Sequence, residues 1–214
     1  MSNKFTKNTV RIAIQKNGRL SEGSINFLKA YGICFELEGR RLIQSSYCGA
    51  VEILLLRSAD IAQCVSEGIA DFGIVGENVI EEKGLPVKKL RKLGFGECSL
   101  VIAVPKMPDL IRTTEDLNDK RIATSYPNLL SEYLKTNNLT SEIIEMSGSV
   151  EIAPKLNIAD SICDLVQTGS TLKANGLKPF VEILKSQAVL IQSPVNNSFN
   201  NLFTCKLSIP NKTI

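Results

Sequence analysis

Three observations predict an α/β fold in two lobes with mainly parallel sheets. Apolar runs of five or six residues, such as 10–14, Val51–Leu56 and Ser161–Val166, have the length and composition of strands, and Val51–Leu56 is typical of one buried on both faces. Amphipathic stretches ended by glycine alternate with them almost throughout. The alternation also comes in two series, one from Val10 and one from Ser99, which argues for lobes at 1–98 plus 185–214 and at 99–184.

In order, 10–14 is a predicted strand and 21–31 a helix with Ser21 as cap and Gly32 as stop. Two short strands are expected at 34–37 and 41–44, around a Glu38-Gly39 turn. Val51–Leu56 is a strand, 59–67 a helix ended by Gly68, and 71–75 a strand. The basic run Lys88-Lys89-Leu90-Arg91-Lys92 reads as a solvated edge. In the second series, 100–104 is a strand, Thr114–Leu117 a capped turn of helix and Arg121–Thr124 a strand. Pro127–Thr136 is a helix with proline in its first turn, and 142–146 a strand. A short helix over 149–156 should bend or end at Pro154. After Ser161–Val166, a helix from Leu172 stops at Gly176, and 181–192 supplies one or two strands that return to the first lobe. From Ser193 the chain is Asn-rich and reads as loop or disorder.

The bulk numbers narrow the function. A chain of 214 residues with 43% hydrophobic and 22% charged residues is long enough for a good core. Its net charge of +3 is too small and scattered to point to nucleic acid, and no apolar run approaches a membrane span. The apolar stretch after the polar start is a strand rather than a signal peptide, so a cytoplasmic protein is expected. Six cysteines stand singly, without a C-x-x-C pair, and read as small apolar residues of a reducing compartment. There is no histidine, which excludes Ser–His and Cys–His nucleophilic catalysis. No metal site built by the protein is expected.

The most informative segment runs from Asp164 to Gly176, D-L-V-Q-T-G-S-T-L-K-A-N-G. A strand enters a Thr168-Gly169-Ser170-Thr171 turn that opens a helix, so hydroxyls, backbone N–H groups and the helix dipole converge on one point. Asp164, near the strand's end, is placed to accept hydrogen bonds from a sugar diol. Taken alone, the turn reads equally as a plain helix cap. Lys16-Asn17-Gly18-Arg19 lies past the carboxyl end of the first strand, where open α/β sheets bind ligands. There Lys16 and Arg19 suit a polyphosphate and Gly18 lets the backbone approach, the alternative being a solvated surface turn. Arg57 stands at another carboxyl end, as phosphate ligand or ion-pair partner. Asp71 opens a strand and is either structural or ligand-binding; Glu151 sits in the first turn of a helix, where it offsets the dipole or faces a ligand.

Taken together, these segments resemble the catalytic part of the ATP phosphoribosyltransferases. The stretches that carry the resemblance are R-I-A-I-Q-K-N-G-R-L (11–20), G-I-A-D-F-G-I-V-G-E-N (68–78), L-G-F-G-E-C-S-L (93–100), K-R-I-A-T-S-Y-P (120–127), G-S-V-E-I-A-P (148–154) and A-D-S-I-C-D-L-V-Q-T-G-S-T-L-K-A-N-G-L (159–177). They run in family order over most of the chain. The run Arg57-Ser58-Ala59-Asp60-Ile61-Ala62 departs from the family's acidic pair followed by Asp-Ile-Pro, and the family's long helix after Gln192 has no counterpart in 196–214.

The resemblance implies a two-lobed fold of the type II periplasmic-binding-protein kind with an interlobe cleft. It implies that ATP N1 is joined to C1 of phosphoribosyl pyrophosphate with release of pyrophosphate, aided by Mg²⁺, as the first step of histidine biosynthesis. On that likeness Asp164, Thr168, Gly169, Ser170, Thr171 and Leu172 hold the donor in the second lobe. Lys16, Gly18, Arg19, Asp71 and Glu151 meet ATP, chiefly on the first-lobe side, and Arg19, Arg57 and Asp164 are the catalytic set. It further implies a short form, which works with a histidyl-tRNA-synthetase-like regulatory subunit or as a homo-oligomer, or else a truncated long form. The rival expectations are a non-catalytic ligand-binding domain on the same fold and a truncated, inactive enzyme.

Overall fold

The computed structural model describes residues 9–108 and 110–195. The expected irregular tail therefore lies, from residue 196 on, outside the described residues. In chain order the elements are β1 (Val10–Gln15), α1 (Ser21–Ala30), β2 (Ile43–Ser45), β3 (Val51–Leu56), α2 (Ser58–Ser66), β4 (Phe72–Gly76), α3 (Glu77–Lys83) and β5 (Lys88–Lys92). They continue with β6 (Cys98–Pro105), a 3₁₀ turn at Thr114–Leu117, β7 (Arg121–Thr124), α4 (Pro127–Thr136), β8 (Glu142–Glu145) and a 3₁₀ turn at Val150–Ile152. Last come β9 (Ser161–Val166), α5 (Ser170–Ala174), β10 (Leu177–Ser186) and β11 (Ala188–Gln192).

The chain divides into two compact units. Of the described residues, unit 1 takes 9–80, Leu85–Gly96 and 188–195, and unit 2 takes Glu81–Gly84 and the described part of Glu97–Gln187. Unit 1 holds a six-stranded sheet in the order β2-β3-β1-β4-β11-β5, and unit 2 a five-stranded sheet in the order β10-β6-β9-β7-β8.

Both sheets are mixed rather than mainly parallel. β3, β1 and β4 run parallel in unit 1, as do β9, β7 and β8 in unit 2. The remaining neighbours pair antiparallel. Strand–helix alternation yields parallel neighbours only where the helix crosses back over the sheet. β2 turns into β3 through a short loop and forms a hairpin instead.

Side-chain alternation explains the burial of each sheet on both faces. In β1, Ile12 and Ile14 face one cluster with Leu20, Leu28 and Phe35, while Ala13 faces another with Ile61, Val65 and Ile80. In β6, Leu100, Ile102 and Val104 pack with Leu117, Leu130 and Leu134, whereas Val101 and Ala103 pack with Val150, Ala153 and Leu172.

Several local expectations change. The 34–37 strand is reduced to one bridge, Phe35 to Ser46, and the next strand is shifted to Ile43–Ser45. Ser21 does not cap α1: Leu20 is the cap residue, and the Ser21 hydroxyl donates to the Lys16 carbonyl at 3.1 Å. The 149–156 helix contracts to one 3₁₀ turn, because Pro154 removes a backbone donor just where an α-helix would need it. The basic run 88–92 is a strand at the sheet edge, and α3 follows β4 directly. No described helix is long and apolar enough to cross a membrane.

Candidate functional site

In unit 2 the carboxyl ends of β7, β8 and β9 share one edge of the sheet, since the three strands are parallel and in register. Gly169 follows β9 in a left-handed conformation, φ +74°, which only glycine adopts at little cost. That turn throws the chain directly into α5. The hydroxyls of Thr168 and Ser170 lie 3.0 Å apart, and Thr168, Ser170 and Thr171 are all exposed. The N–H groups of Thr171 and Leu172, in the first turn of α5, have no acceptor within the helix. Two departures sharpen the sequence reading. α5 has only five residues, so hydroxyls and free N–H groups, rather than a long helix dipole, supply the polarity. The Leu172 side chain is buried in the core with Val150 and Leu177, so only its backbone can meet a ligand.

Asp164 lies two residues before the end of β9, half-buried, and one of its oxygens accepts the Leu165 N–H at 2.8 Å. Burial pushes its carboxyl above the ordinary value. The Leu165 N–H opposes that shift, and the charge of Glu151 adds to it. Glu151 thus stands close enough to Asp164 to be felt electrostatically, although 13 positions of sequence separate them. The cause is a short loop after β8, Gly148 and a left-handed Ser149, which lays the Val150–Ile152 turn on the β9 face.

The same sheet edge holds residues that sequence reasoning passed over. Thr124 is paired in register with Cys163, donates its hydroxyl to the Cys163 carbonyl at 2.8 Å and accepts the Tyr126 N–H at 2.9 Å. A cavity of about 740 Å³ opens there, lined by Thr124, Ser125, Asn128, Glu145, Ser147 and Glu82, among others. The Glu82 carboxylate accepts the N–H groups of Asn128 and Leu129, at 2.9 and 3.0 Å, at the start of α4. The available signal was K-R-I-A-T-S-Y-P, a strand running into hydroxyl residues before a helix.

In unit 1, β1 and β3 end side by side, with Gln15 in register with Leu56, and the Lys16 N–H donates to the Leu56 carbonyl at 2.9 Å. This brings Lys16, Arg19 and Arg57 to one edge of the sheet. All three are exposed, and none makes an ion pair among the described residues. Gly18 takes φ +111°, and a Cβ there would stand 2.8 Å from the Gln15 amide nitrogen, so the tight loop itself demands glycine. Gln15 braces the loop by accepting the Leu20 N–H at 3.1 Å. The 93–96 stretch packs behind it: a Cβ on Gly96 would come 2.1 Å from the buried Leu20 side chain.

Asp71, expected from the resemblance to meet ATP, stands apart from the cationic loops. It lies before β4, 3% exposed, and its carboxylate accepts the Arg11 N–H at 2.9 Å. Arg11 precedes Lys16 by five residues on β1, so Asp71 sits roughly 16 Å along the strand direction from the cationic loops. It ties β1 to β4 at the opposite edge.

The sequence profile of the ATP phosphoribosyltransferase family matches residues 57–207, which include Arg57, Glu151 and the whole Asp164–Leu172 segment. The chain belongs to the ATP phosphoribosyltransferase family. It is 50% identical over 185 residues to ATP phosphoribosyltransferase of Cytophaga hutchinsonii, a match that takes in 86% of this chain and 64% of that protein. The chain thus spans somewhat under two thirds of the length of the curated relatives it matches. Among solved structures, the ATP phosphoribosyl transferase (HisG:HisZ) complex from Thermotoga maritima matches at TM-score 0.74 and 30% identity, over 87% of this chain and 89% of that one. The alkanesulfonate-binding protein SsuA from Xanthomonas axonopodis shares the fold at TM-score 0.55 and 16% identity, over 87% of this chain and 66% of that one. The periplasmic-binding-protein-like fold expected for the family is therefore the fold of this chain.

Proposed function

We propose that this chain carries the catalytic activity of an ATP phosphoribosyltransferase, joining ATP N1 to C1 of 5-phosphoribosyl 1-pyrophosphate as the opening step of histidine biosynthesis. The observation that carries the reading is the cradle at the end of β9. Three exposed hydroxyls and the unpaired N–H groups of α5 surround a left-handed Gly169, with Asp164 beside them. A phosphate suits the hydroxyls and N–H groups, and ribose hydroxyls suit Asp164 and Glu151 as acceptors.

In the reaction the N1 lone pair forms the new bond to C1 while the C1–O bond to pyrophosphate breaks. The transition state carries positive charge on the ribose and negative charge on the leaving pyrophosphate. Positioning and electrostatic stabilisation are what the protein has to supply, which a chain without histidine can do. Asp164 and Glu151 orient the ribose and place negative charge near C1. Lys16, Arg19 and Arg57 are free to neutralise polyphosphate at the carboxyl ends of β1 and β3.

Among the described residues no three or more carboxylate, thiol or imidazole groups lie together to hold a metal. The Glu151–Asp164 pair is a donor set that suits Mg²⁺ carried mainly by substrate phosphates and water. When bound, the ion neutralises pyrophosphate charge. A cytoplasmic enzyme working with a regulatory subunit, as in the Thermotoga maritima complex, fits this reading.

Incubating the purified chain with ATP, phosphoribosyl pyrophosphate and Mg²⁺, with and without such a subunit, is the test. Phosphoribosyl-ATP and pyrophosphate should form in equal amounts. A folded protein that binds either substrate but forms no product under both conditions would instead be a binding domain on this fold.

A further inference from the structure

Gln15 ends β1, and its side chain turns into the loop that carries Lys16 and Arg19. It stands level with Leu56, so the loop begins beside Arg57. The Gln15 Oε1 atom accepts the Leu20 N–H at 3.1 Å. Leu20 is itself held fast, 2% exposed and packed with Ile12, Ile14 and Leu28 just before α1. On its other side the Gln15 amide lies against Gly18, filling the place where a side chain there would stand, with Nε2 nearest. A backbone N–H bonds to an oxygen and not to an NH₂ group, which tells the two ends of the amide apart. Oε1 is committed to Leu20, and Nε2 is left on the Gly18 side of the loop.

That nitrogen has no acceptor among the described residues, and Gln15 is only partly buried, so its N–H groups are open to a ligand. The exposed Lys16, Arg19 and Arg57 stand at the same sheet edge. Long, exposed cations attract an anion but lose side-chain freedom on meeting it; an amide already held in place loses little. A glutamate at position 15 would brace Leu20 equally well, since a carboxylate also accepts an N–H. What glutamine adds is a donor on the loop side, the polarity that an anion needs. We infer, on the reading of the three cations as a polyphosphate site, that the Gln15 Nε2 amide donates a hydrogen bond to a phosphate oxygen held there. Its part is direction rather than charge: it fixes where one oxygen sits while Lys16, Arg19 and Arg57 neutralise the rest.

Calorimetric titration of the full chain with ATP and, separately, with inorganic pyrophosphate tests this without catalysis, and the ligand whose affinity falls identifies the source of the phosphate. Gln15→Glu keeps the acceptor for Leu20 but turns a charged oxygen towards the ligand, and should raise Kd at least about a hundredfold at about pH 8. Gln15→Met removes donor and brace together and should raise Kd about tenfold. Measured against the wild-type chain at each pH, the excess loss in Gln15→Glu should shrink towards about pH 5 as its carboxyl takes up a proton, while the loss in Gln15→Met should not change. Thermal unfolding by circular dichroism checks that both variants fold. A residue that only braced the loop would give the reverse order, with Gln15→Glu binding as the wild-type chain does and Gln15→Met impaired, and that order overturns the proposal. Arg19→Ala separates this failure from the other: if it too leaves both affinities unchanged, polyphosphate does not bind on this loop, and the reading of its cations falls with the proposal.

Discussion

The two regions proposed to meet phosphate are built by different rules. The unit 2 cradle comes from one continuous segment: β9, a left-handed glycine and a single helical turn place Asp164 and Thr168–Thr171 within eight residues of one another. The unit 1 cations come from two segments, 16–19 and Arg57, and meet only because β1 and β3 are parallel neighbours in exact register at Gln15 and Leu56. A continuous site depends on local conformation, an assembled one on sheet pairing. The first should resist remote damage, and the second should fail whenever its sheet is loosened.

Asp71→Ala tests that contrast with the largest expected effect. It leaves the Arg11 N–H without its acceptor at the β1–β4 junction, and should lower the unfolding free energy by roughly 3 kcal/mol in urea titrations. Nucleotide binding at the assembled loops should weaken before binding at the cradle does. If Asp71→Ala keeps full stability but loses ATP affinity, the residue is a ligand rather than a tie between β1 and β4.

Asp164→Asn is expected to behave in the opposite way. The folded state raises the Asp164 pKa, chiefly through burial. The favourable contribution of its protonated form is thus present below the unfolded value and lost as pH rises through the folded one. At pH 7 the carboxylate opposes folding, so the amide should leave the melting temperature unchanged or raised. Donor affinity should fall by about 1–3 kcal/mol, the range for a lost hydrogen bond to a charged group. A calorimetric titration with phosphoribosyl pyrophosphate showing unchanged affinity would remove Asp164 from the site.

The smallest effects belong to the exposed cations. Arg19→Ala and Arg57→Ala should each alter stability by less than about 0.5 kcal/mol and weaken ATP binding by about 1 kcal/mol, with a shallower salt dependence. Equal losses at low and high salt would point to a structural rather than an electrostatic role.

Much of this was legible in the chain. The strand at Ser161–Val166, the turn at Gly169 and the helix stop at Gly176 follow from composition and local conformational preference, and the structure carries them as expected. The Pro127–Thr136 helix was equally plain, with proline in its first turn. The short strands at 34–37 and 41–44 were misjudged because a few apolar residues do not say which neighbour they will pair with. α3 and β5 were passed over: Glu77–Lys83 is mostly polar, and a basic run looks the same as a loop or as a guarded edge strand. Leu172 stood in a site motif, yet its side chain serves the core.

The sequence by itself determined the α/β class, the continuous cradle and a chemistry without histidine, because each rests on residue identity and near-neighbour spacing. Only the tertiary structure decided that the sheets are mixed, that Lys16 and Arg57 share an edge, that the charge of Glu151 is felt at Asp164 and that Asp71 stands just before β4, away from that edge. Those facts depend on strand order and register, which arise from packing between segments distant in the chain. Local preference holds no record of them.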